Sequence, residues 1–346
     1  MYNLVAPCLF GLEKTVSYEL KNLGATDIKI TDGRVHFKGD DDTIVKANIC
    51  LRTAQRVMIE LGKFKASTFE ELFQGIKSIN YSKYLKKDYK FTIAKAKSVS
   101  SKLTSIPTIQ SIAKKAMVER LKLLFDTDIL PESSSIEVPF NILIQKDVAS
   151  LYIDTTGASM HKRGYREKTV LAPIRETIAA FMVMATPWNV QRPFYDITCG
   201  SGTIPIEAAL IAANIQAGIN RDFLGESFPF IDKSLWKKYR SYYISQEKDI
   251  EFKVNGSDVD GEAIEIAKEN ARIAGVDIFT NFERKSVAEL NITEKNGFIF
   301  SNPPYGVRIG EEKEIESLYN DMRKLFSKLD NFSYYLITTD EEIGTK

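Results

Sequence analysis

The chain predicts an α/β protein, with a doubly wound parallel sheet in its C-terminal half and two smaller α+β units ahead of it. Three observations carry that prediction. From about residue 169 onward, helix, apolar strand, glycine turn, helix and strand follow one another, the rhythm of a parallel sheet covered on both faces. Residues 1–154 instead mix short apolar runs with amphipathic stretches, and a span of small residues and cations at 155–166 connects the two halves. At 346 residues, 44% hydrophobic and 27% charged, the chain is long and apolar enough for more than one core.

Taken in order, strands are expected at residues 2–7, 35–37 and 57–61, with helices at 13–23 and 42–49 among them. A helix at 68–78, a strand at 90–96, a basic helix at 106–125 and strands at 135–145 and 148–154 form the second unit. The C-terminal half offers a strand and glycine turn at 193–203 and a helix from 204. A strand ending near Asp260, a helix at 262–274, an apolar strand at 297–300 and a last strand at 334–339 follow.

No run approaches the roughly 18 apolar residues of a membrane span, and the first residues lack the basic start and small-residue cleavage site of a secretory signal. A cytoplasmic protein with no membrane partner is expected. Three cysteines far apart and two histidines argue against a disulfide framework and against a metal site. The net charge of +1 conceals an asymmetry: residues 81–120 hold ten Lys/Arg against Asp88 and Glu119, whereas residues 167–346 are net acidic. A polyanion-binding face, if present, belongs to the N-terminal half.

Asp196, Ile197, Thr198, Cys199, Gly200, Ser201, Gly202 and Thr203 form a tight glycine turn between a strand and an apolar helix. Such turns bring backbone close to a ligand at the carboxyl end of a strand. Pro205 stands where a dinucleotide fingerprint has its third glycine, and the next candidate acid lies much farther on than about 20 residues, which disfavours a nicotinamide cofactor. Asp258, at the end of the next strand, is the candidate for the ribose hydroxyls. Asp260 is the fallback, although it fits a helix cap better.

The apolar strand at 297–300 runs into Ser301, Asn302, Pro303, Pro304, Tyr305 and Gly306. Two prolines supply no backbone donors, so this turn presents acceptors: the Asn302 amide oxygen and the Pro303 carbonyl. An exocyclic amino nitrogen is a poor nucleophile because its lone pair is delocalised. Two acceptors holding its protons would turn that lone pair toward a sulfonium methyl and stabilise the developing charge, while Tyr305 offers a stacking ring.

Together these motifs resemble the class I methyltransferases that act on amino nitrogens. The run from His161 to Arg166, followed by Ala172 to Ala180, resembles the THUMP-domain RNA methyltransferases, especially the bacterial 23S rRNA guanine-N2 type. The resemblance implies a ferredoxin-like unit at 1–62, a THUMP domain at 63–158, and a linker with a Rossmann-like methyltransferase domain at 159–346. It implies S-adenosyl-L-methionine held by the turn at 196–203 and by Asp258, with Val259, Ser286 and Asn302 beside it. Asn302, Pro303, Pro304 and Tyr305 are its catalytic residues, and large-subunit ribosomal RNA or another structured RNA is its partner.

The basic segment then becomes an RNA path of Lys95, Lys97, Lys102, Lys114, Lys115, Arg120 and Lys122, joined at the domain junction by His161, Lys162, Arg163 and Arg166. Arg175 and Glu176 face the cofactor or the target base, or form an ion pair. The insertion at 214–249, with Trp236, Tyr239, Tyr242 and Tyr243, is either a substrate flap or a packed segment.

Three departures from the family pattern stand out. Ile197 replaces a common proline, and Ser286 stands where an acid often meets the adenine amino group. The chain also stops soon after its fifth strand, so the sheet's last two strands are expected to be missing. Two other functions compete: the same chemistry on adenine N6 of DNA or a protein glutamine, for which a THUMP-like module has no use, and a non-catalytic ribosome-assembly protein, which has no need of Gly200, Gly202, Asp258 and Asn302 together.

Overall fold

The computed structural model describes residues 1–166, 173–304 and 312–338, and they fall into two compact units, one of residues 1–160 with 222–241 and one of residues 161–221 with 242–346. Unit 1 contains β1 (Tyr2–Pro7), α1 (Glu13–Asn22), β2 (Thr26–Thr31), β3 (Arg34–Gly39), α2 (Asp41–Cys50), β4 (Met58–Lys65), α3 (Phe69–Ser78), β5 (Lys90–Val99), α4 (Ile106–Phe125), β6 (Glu137–Gln145) and β7 (Val148–Asp154). The strands form one sheet in the order β2-β3-β1-β4-β7-β6-β5.

β4 is the seam of that sheet. It pairs with β1 at Leu4↔Ile59 and Val5↔Met58 and with β7 from Met58↔Asp154 to Lys65↔Val148, so the sheet runs unbroken past residue 62. Alternation sends Leu4, Val35, Phe37, Ile59, Phe140, Ile144 and Ile153 to one face, where all are buried beneath the helices. Asp40 caps α2 through the Thr43 N–H, Thr68 caps α3 through the Glu71 N–H, and Pro107 sits in the first turn of α4, where it removes no helical bond. The sequence reading has no counterpart for β2. Its residues are almost all exposed at the sheet edge, so it lacks the apolar alternation that marks a half-buried strand.

Unit 2 contains α5 (Glu176–Met184), β8 (Phe194–Asp196) and α6 (Thr203–Ala212). After α6 comes an excursion carrying α7 (Lys233–Ser245), and then β9 (Val254–Asp258), α8 (Gly261–Ala274), β10 (Thr280–Arg284), β11 (Phe298–Ser301), α9 (Glu312–Phe326) and β12 (Ser333–Leu336). All pairings are parallel, in the order β10-β9-β8-β11-β12. The chain steps outward from β8 to β10 and returns on the other side of β8 with β11. The strand order therefore reverses between β8 and β11, and the crevice at their carboxyl ends is where open α/β sheets bind ligands. Phe194, Phe298 and Phe300 are buried on these two strands, with the Phe194 and Phe300 rings stacked at 4.6 Å.

Over much of its length the excursion is a packed segment. Residues 222–241 belong to unit 1, where Trp236 is buried and stacked on Phe223 at 5.4 Å, Phe230 meets Tyr84 edge-on at 5.3 Å, and the Tyr239 hydroxyl donates to Asp42. Packing accounts for Trp236 and Tyr239; Tyr242 is exposed.

Candidate active site

The two motif loops meet at the switch point because β8 and β11 are adjacent. The glycine turn leaves β8 with Gly200 at φ 50° and Gly202 at φ 79°, the left-handed region that favours glycine. A Cβ on Gly202 would also lie 2.9 Å from Ala267 and from Phe282, so the turn can sit this close to α8 and β10 only without a side chain. Asp258 Oδ2 accepts the Gly200 N–H at 2.8 Å, and its Oδ1 accepts the Asp260 N–H at 3.0 Å. The carboxylate thus ties turn to strand end while each oxygen keeps a lone pair for a further donor. Asp260 caps α8 through the Glu262 N–H, so the fallback role passes to capping. Val259, beside Asp258, exposes 63% of its surface, an apolar face at the carboxyl edge.

On the β11 side, Ser301 is fully buried and its hydroxyl meets that of Thr198 at 2.5 Å, pinning the glycine turn to the strand that delivers Asn302. Asn302 is half-buried, Pro303 buried and Pro304 exposed; Tyr305 lies outside the described residues. The sequence reading missed Ser301, and it missed Asn270, whose buried amide donates to the Ser201 carbonyl at 3.1 Å. A signal existed for the second: an asparagine interrupts the apolar stripe of Ala263, Ile264, Ala267, Ala271 and Ala274 on α8.

Asp196 accepts the Thr198 N–H at 3.2 Å and is buried. Burial pushes its pKa up to about 8; the Thr198 N–H pulls it down, and the Asp258 charge adds to the rise. Its folded value lies above its unfolded one, so folding takes up a proton between roughly pH 4 and pH 8, and the stability this contributes falls as pH rises through that window. The Asp196→Asn variant should therefore gain melting temperature relative to the unsubstituted protein between about pH 5 and pH 8. A difference that stays constant with pH would mean that Asp196 is already ionised in the fold. The Cys199 thiol is raised well above its usual range by burial, then by the Asp196 and Asp258 charges, which leaves it protonated and unsuited to nucleophilic attack.

Several expected contacts turn out differently. Ser286 lies past β10, but both its N–H and its hydroxyl bond Glu289 at 2.8 and 2.7 Å, so it can offer an incoming group only an acceptor. Arg163 and Arg166 do not belong to an RNA path. Arg163 is buried and grips Glu207 with two nitrogens at 3.2 and 3.4 Å, a carboxylate that also accepts the Tyr165 hydroxyl at 3.1 Å. Arg166 Nη2 donates to Thr203 Oγ1 at 2.5 Å and to the Ile174 carbonyl at 3.0 Å, with its Nε 3.5 Å from Glu176. It fastens the start of α5 to the first residue of α6. Glu176 accordingly takes the ion-pair alternative, while Arg175 is exposed.

The pKa of His161 is lowered by burial and then by Arg175, Lys162 and other nearby cations, so it brings no charge at neutral pH; Lys162 is exposed. In unit 1, Lys95 and Lys97 are exposed on β5, and Lys102 is exposed in the loop that follows. Lys114 and Lys115 are exposed on α4, with Lys115 5.9 Å from the Phe73 ring, on the helical layer covering the other side of the sheet from Lys95 and Lys97. Arg120 and Lys122 are half-buried. The single path expected from the sequence is therefore two surfaces. Among the described residues, no cluster of His, Cys, Asp and Glu could hold a metal ion, and no helix is long and apolar enough to cross a membrane.

Comparison with known proteins gives three family matches in succession along the chain. A family model described as RMKL-like, methyltransferase domain, matches residues 163–344, one described as RlmL ferredoxin-like domain matches residues 3–58, and one described as THUMP domain matches residues 66–154. The Bacillus subtilis (strain 168) protein named "Putative RNA methyltransferase YpsC" is 42% identical over 343 residues, 98% of this chain and 88% of that one. The solved structure of "SMU.472, a putative methyltransferase complexed with SAH" superposes with a TM-score of 0.94 at 42% identity, covering 99% of this chain and 91% of that one. A structure from Listeria monocytogenes str. 4b F2365, described as "a predicted N6-adenine-specific DNA methylase", gives 0.93 at 40% identity, covering 99% and 90%. A parallel-sheet domain with its two loops joined at the switch point, the two domains ahead of it and likeness over nearly the whole chain lead to one assignment: the chain belongs to the RMKL-like methyltransferases that carry an RlmL-type ferredoxin-like domain and a THUMP domain.

Proposed function

We propose that this protein transfers a methyl group from S-adenosyl-L-methionine to the exocyclic amino nitrogen of a base in structured RNA, the N2 of a guanine in large-subunit ribosomal RNA, in the cytoplasm. The observation that carries the reading is the adjacency of the two loops. The Asn302-Pro303 acceptors leave β11 beside the glycine turn that leaves β8, with Thr198 and Ser301 in contact between them.

The residues present fit the cofactor. The turn from Asp196 to Thr203 passes close without side chains at Gly200 and Gly202, the Asp258 oxygens keep capacity for ribose hydroxyls, and Val259 offers an apolar surface for a flat base. When bound, S-adenosylmethionine supplies an electrophilic methyl on a sulfonium. The Asn302 amide oxygen and the Pro303 carbonyl hold the amino protons, direct the nitrogen lone pair and stabilise the positive charge as the bond forms. Tyr305, which follows Pro304 in the chain, supplies the ring against which the splayed base stacks. Asp258→Asn keeps the shape but loses the charge-assisted hydrogen bonds, and it should weaken cofactor binding by about tenfold in titration calorimetry. Unchanged affinity would remove Asp258 from the cofactor site.

The test of the reading is transfer of labelled methyl to undermodified ribosomal RNA, with mass spectrometry of the nucleosides. Labelled N2-methylguanosine in the large-subunit RNA is the expected product. Adenine N6 of DNA is the second reading, favoured by the description of the Listeria structure, and it offers an NH₂ to the same acceptors. Label in DNA rather than RNA would decide for it.

A further inference from the structure

The face of the unit 1 sheet opposite α1–α4 carries a field of cations. Cross-strand register places their side chains together. Thr31 faces Arg34 and Lys29 faces His36; across β1 and β4, His36 faces Val5 and Val5 faces Met58. Continuing across the sheet, Lys63 faces Ser150, Lys65 faces Val148, Lys95 aligns with Asn141 and Lys97 with Leu143. Directly paired residues share a face, so Lys29, Arg34, Lys63, Lys65, Lys95 and Lys97 all lie on the side away from Leu4, Ile59 and Phe140.

Arg34 is half-buried and the five lysines are exposed, and among the described residues none of the six has an ion-pair partner. The carboxylates that border them are occupied: Asp27 by Lys38 at 2.7 Å, Asp154 by Arg56, and Glu137 by Lys90 at 3.0 Å. Glu60, half-buried in the middle, has its pKa raised by burial and lies 3.9 Å from His36.

Lysines on edge strands commonly guard a sheet against unwanted pairing, which would account for Lys29 on β2 and for Lys95 and Lys97 on β5. It does not account for Lys63 and Lys65, which stand on β4, the middle strand of the seven. Like charges gathered on one open face repel one another and favour a polyanion that spans them.

We propose that RNA lies across this helix-free face and that the ferredoxin-like and THUMP domains bind it as one surface, the unbroken sheet, with Lys29, Arg34, Lys63, Lys65, Lys95 and Lys97 taking its phosphates. The inference rests on the RNA reading given under Proposed function. Seven strands at a spacing of about 4.8 Å make the face roughly 29 Å wide. Tyr152, the aromatic ring at its centre, is buried in a cluster with Val5 and Met58, so the face offers charges rather than stacking platforms. It reads the shape of the backbone, and the target base is chosen elsewhere. The α4 lysines, Lys114 and Lys115, lie on the other side of the sheet and take no part.

The experiment measures binding of a ribosomal RNA fragment by fluorescence anisotropy over a salt series, with S-adenosylmethionine titrated in parallel. Lys63→Ala/Lys65→Ala and Lys95→Ala/Lys97→Ala should each weaken RNA binding about tenfold or more and reduce the slope of log affinity against log salt by roughly 1.4. Lys114→Ala/Lys115→Ala should bind RNA as the unsubstituted protein does, and the circular dichroism spectrum and melting temperature, which report folding of the whole protein, should hold in all three. Sheet-face variants that bind RNA normally, or an α4 variant that loses as much, overturn the proposal while leaving the RNA reading intact. Tighter binding to vesicles of anionic phospholipid than to RNA overturns it in favour of a membrane. If the unsubstituted protein binds cofactor but no RNA, the RNA reading itself fails.

Discussion

Replacing Asn302 with alanine is expected to slow methyl transfer by about 10²- to 10³-fold, roughly 3–4 kcal/mol of transition-state stabilisation, while cofactor affinity changes by less than about threefold. The expectation follows from where the residue stands. Asn302 emerges from β11 directly after Ser301, whose buried hydroxyl is held by Thr198, so its backbone is placed by contacts that survive the substitution. What alanine removes is one acceptor for the target amino group, an interaction that strengthens as the nitrogen gains positive charge. Single-turnover transfer measured beside titration calorimetry separates the two quantities. The sequence places Asn302 with both the catalytic and the cofactor residues, and this measurement divides those roles: a collapse of cofactor binding would make it chiefly a cofactor contact.

The second large effect lies in the scaffold. Arg163→Ala should destabilise unit 2 by about 3–5 kcal/mol, because it strands the fully buried Glu207 carboxylate with the Tyr165 hydroxyl as a remaining donor. Arg163→Met combined with Glu207→Leu should be markedly less damaging than Arg163→Ala alone, since it removes both charges and refills their volume. Thermal unfolding of the three proteins checks this. If Arg163→Ala leaves the melting temperature unchanged and instead weakens RNA binding, the cation serves the RNA surface after all.

Features that depend on neighbours along the chain are legible in the sequence alone. The limits of β1, α4 and β7 are those the apolar pattern predicts, since each has either an uninterrupted apolar run or a stripe bounded by caps and turns. The glycine turn after β8, the acid at the end of β9 and the Asn-Pro-Pro run after β11 carry their chemistry in adjacent residues, so they too can be read directly.

Whatever depends on which strand lies beside which cannot be read that way. Arg163, Arg166, Lys162 and His161 look alike in sequence as a basic cluster. Burial against Glu207 and attachment to Glu176 and Thr203 turn the two arginines into structural residues, because a long cation folded inward is tolerated only where a carboxylate or carbonyl meets it. Lys95 and Lys114 share a basic stretch of the chain, yet the sheet separates them and instead gathers Lys63 and Lys65 with lysines distant in the chain. The Thr198–Ser301 contact joins positions 103 residues apart, and nothing local to either predicts it. A side-chain period identifies a strand and its faces, but the chain's path through space decides which faces combine, and only the folded sheet holds that information.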